Sequence, residues 1–277
     1  FSPCEIMHCF GLNTLSIECL ACYLSGYHLE DFLIDYAQNS GIAPTLCSYH
    51  KTFVGAIDSG AVPLPRYAVT TSLSCDGNLN TFRYLEKKKG VPFTFLDVPY
   101  GDDEASVEYL AGQLKDFVRE LENQFGKTFD EEKLKKALEI ENETRKELVH
   151  FFRLQSEYYY PGELISHLYM MMGMHLLIGT QDFLDLIRFM VKDIQTYPKF
   201  EGKKILWVHL LPFYQESLRE YFNESEKYQI IASDIIIDSM EELDASRPFH
   251  ALAKKIIHNL YNGTYDHKAQ MVGRLAD

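Results

Sequence analysis

Apolar and polar positions along the chain fall into three successive regimes. From residue 1 to about 100, short extended runs alternate with short helical ones. Glu5 to Gly11 suits a helical turn after Pro3, His28 to Gln38 is amphipathic with Gly41 just past its end, and Pro92 to Val98 reads as a strand ending at Pro99. A period of roughly 25 to 30 residues per strand and helix suits βαβ units on a parallel sheet. From Asp103 to about Tyr197 the pattern becomes nearly continuous helix. Val107, Leu110, Leu114, Val118 and Leu121 recur every three or four residues and mark one buried face. Gly126 stops that helix, and Thr128 followed by Glu131 suggests a capping box opening the next, which runs toward Phe152 with Leu134, Leu138 and Leu148 inward. Tyr158 to Gly162 breaks the pattern, and Pro161 is expected to open a helix carrying Met170, Met171, Met172 and Met174.

A second α/β series begins at Lys203. Ile205 to Val208 and Tyr228 to Ile231 read as strands, and Gln215 to Phe222 and Pro248 to Tyr261 as helices. The expected organisation is an α/β domain over 1–102, a helical segment over 103–200 and the start of a second α/β domain over 201–277. That second sheet wants at least two more strands. Beginning at Phe1 and stopping at Asp277 inside a helical pattern, the sequence is expected to be a piece of a longer protein.

Two cysteines stand out against this pattern. Before Cys47 runs I-A-P-T-L, read as a short extended stretch, and after it S-Y-H-K-T-F-V-G-A-I spaces Phe53, Val54 and Ile57 helically. Before Cys75 runs Y-A-V-T-T-S-L-S, strand-like, and after it D-G-N-L-N-T-F-R-Y-L alternates as an amphipathic helix. Each thiol is thus expected where a strand gives way to a helix, at the edge where α/β sheets collect ligands. Helix N-termini favour the thiolate form that binds soft metals. The competing reading is that of a free cysteine as a small buried hydrophobe.

Composition narrows the classes. Hydrophobic residues make up 46% and charged residues 24%, so the chain is globular rather than disordered. A formal charge of -13 with no Lys/Arg stripe argues against nucleic acid. The longest apolar run, Leu164 to Ile178, is interrupted by Ser166, His167 and His175 and is too short to span a bilayer. Cys4, Cys9, Cys19 and Cys22 crowd the first two dozen residues without a signal peptide, which points to a reducing cytoplasm. The C-L-A-C of Cys19 and Cys22 is set aside as a metal or redox site, because no second C-x-x-C follows and its flanks read as loop. No P-loop glycine pattern and no G-x-S-x-G occurs.

With these features the chain resembles the 2-hydroxyacyl-CoA dehydratase D-component family, which includes benzoyl-CoA reductase subunits and double-cubane cluster proteins. Four blocks carry the resemblance: F-S-P-C-E-I-M-H-C-F-G-L at the start, L-C-S-Y-H-K-T-F-V-G around Cys47, T-T-S-L-S-C-D-G-N-L-N-T-F-R-Y-L around Cys75, and V-P-F-T-F-L-D-V-P-Y after it. They cover about residues 1 to 100 in the family's order. The resemblance implies two flavodoxin-like (Rossmann-like) domains and an iron–sulfur cluster, [4Fe-4S] or double-cubane, held by three cysteines per subunit. Cys47 and Cys75 match two of them, and the third is expected beyond Asp277. It further implies loss of water from a 2-hydroxyacyl-CoA through a ketyl radical after one-electron activation. An ATP-dependent activase with its own cluster and a second homologous or identical subunit are the implied partners.

Other positions are candidates of lower rank. Glu5 matches the acid of the opening block and is a candidate to approach substrate, or a partner of the helix dipole. His50 and Lys51 follow Cys47 by three and four residues and could place charge near a cluster or a CoA phosphate, or be plain surface polar residues. Asp76 is read as stabilising the following helix N-terminus, with a supporting role at the cluster as the alternative. His209, at the end of the first strand of the second α/β series, would face the crevice or be structural. The alternatives to a dehydratase are a double-cubane-type reductase of small molecules and a non-catalytic scaffold of the same fold.

Overall fold

The computed structural model describes residues 2–73, 75–212, 215–236 and 241–276. These form two units, Leu15–Pro99 and Pro3–Thr14 with Tyr100–Asp277. The first helix, α1 (Cys4–Cys9), therefore belongs with the longer unit, not with the cysteine-bearing α/β unit to which its place in the sequence had assigned it.

The shorter unit opens with α2 (Ile17–Gly26), started by Ser16, whose hydroxyl accepts from the Cys19 N–H at 3.3 Å. The C-L-A-C pair thus lies inside a helix, and the expectation of loop there was wrong: the Ser16 cap and the buried Ile17, Ala21 and Cys22 make a helical face. Helices α3 (Glu30–Asn39) and α4 (Ser48–Asp58) follow and pack closely. They touch at Gly55, where a Cβ would fall 1.9 Å from the Leu33 carbonyl oxygen, so only glycine allows this approach. Among the described residues no strand precedes α4. The stretch I-A-P-T-L is a turn closed by the Leu46 N–H on the Ala43 carbonyl at 3.0 Å, which takes those groups out of reach of a ladder.

The rest of the unit is one βαβ module. Strand β1 (Ala68–Thr71) leads to α5 (Asp76–Tyr84), a π-helical turn over Leu85–Lys89 and a left-handed Gly90 (φ 69°). Strand β2 (Phe93–Leu96) then returns parallel to β1, pairing Ala68 with Phe93 and Thr71 with Leu96. Ile17, Phe53, Ile57, Ala68, Phe82, Leu85 and Val91 form the core joining this module to α2 and α4. Each large apolar side chain there contributes about 1.5–3 kcal/mol by burial. Asp58, at the end of α4, accepts from Tyr84 at 2.5 Å and pairs with Lys89 at 2.9 Å, which ties α4 to the far end of α5.

In the longer unit, α6 (Glu104–Phe125) is capped by Asp103 and ended by left-handed Gly126 (φ 63°). Helix α7 (Glu131–Gln155) starts from Asp130 instead of Thr128, because the Asp130 carboxylate accepts from the Glu132 N–H at 3.1 Å. Helix α8 (Leu164–Leu176) starts three residues later than Pro161 suggests, where Glu163 and Ser166 complete a capping box. Helix α9 (Gln181–Ile194) is capped by Thr180 and packs on α7. Strands β3 (Lys203–Trp207) and β4 (Tyr228–Ser233) pair in parallel around α10 (Glu216–Phe222), and α11 (Pro248–Ile257) and α12 (Tyr265–Ala276) close the chain. The helical segment and the second α/β part are one unit where two were expected. Helix α11 packs on α6, and the Gln229 amide donates to the Gln155 carbonyl at 2.5 Å while Gln155 donates to Ile230 at 3.2 Å. The fold is thus a mixed α/β arrangement with two parallel strand pairs among the described residues. None of the described helices is long and apolar enough to cross a membrane.

Candidate functional site

Cys47 and Cys75 each occupy the residue immediately before a helix, at the N-termini of α4 and α5. Both are free and exposed, and neither side chain caps its helix. The other four cysteines are different. Burial pushes the thiols of Cys9 and Cys22 up to about 12, that of Cys19 to about 11, and that of Cys4 well above its usual value. Those four are packing residues, and the reading of Cys47 and Cys75 as small buried hydrophobes does not describe them.

One helical turn joins the two exposed thiols. His50 lies three residues into α4 from Cys47, yet its Nε2 is 3.7 Å from Cys75 Sγ and its Nδ1 is 2.9 Å from Thr81 Oγ1 on α5. Burial lowers the basicity of this imidazole, with Glu18 opposing weakly. Gly77 makes room: a Cβ there would sit 2.9 Å from His50 Nε2 and 3.4 Å from Cys75 Sγ. Lys51 turns the other way and donates from Nζ to the Pro44 carbonyl at 2.9 Å, bracing the turn that presents Cys47. Neither His50 nor Lys51 is a surface residue, since they are 4% and 7% exposed. The expectation of free charge at these positions gives way to buried polar groups that are already engaged.

Asp76 is exposed in the first turn of α5, where its carboxylate complements the helix dipole; the position before the helix belongs to Cys75. Glu5 lies in the longer unit, fully buried in α1. Its carboxylate accepts from Lys255 Nζ, the same ammonium reaches Glu141 Oε1 at 2.8 Å, and Arg145 Nε donates to that same oxygen at 3.0 Å. Burial raises Glu5 to about 7 despite Lys255, while Lys255 and Arg145 overcome burial to hold Glu141 low. This is a core ion network in which Glu5 has no open face toward a substrate. His209 also lies in the longer unit, two residues beyond β3, with φ 73°. Its N–H donates to Asp234 at 2.6 Å and its ring accepts from the Leu210 N–H at 2.7 Å, so it shapes the strand end.

Reasoning from sequence missed Thr81 and Gly77, whose roles arise only when α5 folds against α4. It also missed a small cleft of about 50 Å³ in the longer unit beside β4 and α8, bordered by Phe151, Tyr160, Met190, Phe222, His167 and Ser233. Burial takes His167 down to about 4, and the Ser233 hydroxyl has no protein partner among the described residues.

The donor chemistry at α4 and α5 fits a soft, thiolate-bound group: two exposed sulfurs at two helix N-termini, whose partial positive charge offsets an anionic ligand set. Among the described residues no group of three or more His, Cys, Asp or Glu side chains converges.

The sequence model described as 2-hydroxyglutaryl-CoA dehydratase, D-component, matches residues 1–277. The alpha subunit of (R)-phenyllactyl-CoA dehydratase from Clostridium sporogenes is 20% identical over 270 residues, 88% of this chain and 66% of that protein. The alpha subunit of (R)-2-hydroxyisocaproyl-CoA dehydratase from Clostridioides difficile is 22% identical over 150 residues, 51% of this chain and 37% of that protein. Subunit alpha of (R)-2-hydroxyglutaryl-CoA dehydratase from Acidaminococcus fermentans is 28% identical over 89 residues, 31% of this chain and 19% of that protein. The matches span less than two thirds of the length of each of these relatives.

Proposed function

This chain belongs to the 2-hydroxyglutaryl-CoA dehydratase D-component family, and from that membership we propose that it is the iron–sulfur-binding part of an enzyme that removes water from a 2-hydroxyacyl-CoA. The observation that carries the reading is the pair of exposed, free thiols at the N-termini of α4 and α5, set apart from three buried cysteines and the half-buried Cys9. The relatives' names, each a 2-hydroxyacyl-CoA dehydratase subunit, supply the reaction class.

Overall, the hydroxyl on C2 and a proton on C3 leave as water and a carbon–carbon double bond forms, with no net oxidation or reduction. The difficulty is the C3 proton, which nothing in the ground-state thioester activates. A [4Fe-4S] cluster held here would lend the thioester one low-potential electron, acidifying that proton, and would recover the electron once water has left. Cys47 and Cys75 furnish two of its thiolates. Lys51 fixes the turn that carries Cys47, and the dipoles of α4 and α5 offset negative charge on the sulfurs. Glu5 and His209 are assigned to structure.

In this reading the strand pairs β1–β2 and β3–β4 are the centres of two flavodoxin-like domains. The protein works with a second homologous or identical subunit and receives its electron from an ATP-dependent activase carrying its own cluster. The test is anaerobic reconstitution with iron and sulfide, then incubation with partner subunit, activase, ATP and a series of 2-hydroxyacyl-CoA thioesters. Enoyl-CoA formation that requires prior reconstitution is expected, and none from any thioester, with a cluster in place, would sink the assignment.

A further inference from the structure

We propose that His50 is a positioning residue for the metal-bound sulfur of Cys75, donating to it from Nε2–H in a tautomer fixed by the hydroxyl of Thr81. This inference rests on the iron–sulfur reading above and adds to it a hydrogen-bonded relay that neither the family description nor the relatives' names record.

The argument is one of donor and acceptor balance. A cysteine sulfur that ligates a metal carries no proton, so at 3.7 Å from His50 Nε2 it can only accept. The imidazole must then carry its hydrogen on Nε2, which leaves Nδ1 with a bare lone pair. The group facing Nδ1 is Thr81 Oγ1 at 2.9 Å, a hydroxyl that rotates to donate. The relay therefore runs from Thr81 O–H to Nδ1 and from Nε2–H to Cys75 sulfur. The opposite tautomer would set two lone-pair faces against each other at the sulfur.

Three further features hold the relay in place. His50 is 4% exposed, so water does not compete readily for its ring. Thr81, at 2% exposure, is equally enclosed. Gly77, without a Cβ, leaves the gap through which the ring reaches the sulfur. The first turn of α4 thus follows directly on one ligand, Cys47, and orients the other, Cys75, through His50. Hydrogen bonds to cluster sulfurs draw electron density from the thiolate and favour the reduced state, and outer groups of this kind fix ligand orientation.

The test is a redox titration of the anaerobically reconstituted protein, followed by electron paramagnetic resonance. His50→Leu is expected to disfavour the reduced cluster about tenfold, equivalent to about 59 mV for a one-electron couple. His50→Gln, whose amide still donates, should recover most of that shift. Thr81→Val should move the potential in the same direction as His50→Leu, and Thr81→Ser should leave it near wild type. Potentials unchanged in His50→Leu, or equal effects of Leu and Gln, overturn the relay while leaving the cluster assignment standing. Imidazole ¹⁵N resonances of the reconstituted protein give a second readout: protonated Nε2 with bare Nδ1 is expected, and protonated Nδ1 overturns the proposal. Wild-type protein that takes up no iron would overturn the iron–sulfur reading itself, and the relay with it.

Discussion

Lys51 Nζ donates to the carbonyl of Pro44 at 2.9 Å, so a side chain of α4 reaches back and secures the turn from which Cys47 emerges. The bond closes a loop of eight residues, Pro44 to Lys51, around the thiol. Lys51→Met would leave the Pro44 carbonyl unsatisfied, at a cost of about 1–3 kcal/mol. Because the loosened segment carries Cys47, iron release to a chelator should accelerate more than the melting temperature falls. Equal release rates in the variant and wild type would show that the brace does not matter to the site.

Gly77→Ala puts a methyl group 2.9 Å from His50 Nε2 and 3.4 Å from Cys75 Sγ. The ring or the start of α5 must shift, at about 1–3 kcal/mol for a tight site, and iron uptake should drop. Gly112→Ala in α6 is the control, since nothing lies within 4 Å of its added Cβ. There, replacement of glycine in a helix should stabilise by roughly 0.5–1 kcal/mol. Urea unfolding of both variants separates the two outcomes.

The Glu5–Lys255–Glu141 network sets a pH dependence of stability. Burial raises Glu5 from 4.5 to about 7, so the folded state holds this proton more tightly than the unfolded chain does. Its contribution is full below 4.5 and is lost as pH rises toward 7. Glu141 acts in the opposite sense: held low by Lys255 and Arg145, it stabilises above its unfolded value and loses that as pH falls. Glu5→Gln mimics the protonated acid and leaves Lys255 paired with Glu141. The variant should therefore melt higher than wild type at about pH 8 and lose that advantage at about pH 5. Lys255→Met, which strips Glu5 of its cation and leaves Glu141 with Arg145 alone, should cost about 3–5 kcal/mol.

The readability of this chain follows from how local each feature is. Cys75 was legible because the apolar run of β1 and the Asp76–Tyr84 helix both lie within ten residues of it. The turn before Cys47 was misread as extended because Ala43 to Leu46 is apolar enough for a strand, and only the Leu46 N–H on Ala43 shows that it closes on itself. His50 and Lys51 were misjudged as surface residues because α4 is buried on every side from His50 to Ile57, a helix with no polar face to set a phase. Thr81 stands 31 positions from His50 and Lys255 stands 250 from Glu5, separations at which spacing carries no information about contact. Glu5 therefore looked like a substrate-facing acid, when its actual partners come from α7 and α11.

The most direct measurement is the iron bound per chain after anaerobic reconstitution, with visible charge-transfer absorption, in Cys47→Ala and Cys75→Ala beside Cys19→Ala and Cys22→Ala. The account predicts that each of the first two loses most of its iron and absorption with little loss of folded structure, because both side chains are exposed. The latter two, buried in α2, should keep their iron whenever they fold. Full iron and an unchanged spectrum in the Cys47→Ala, Cys75→Ala double variant would contradict it.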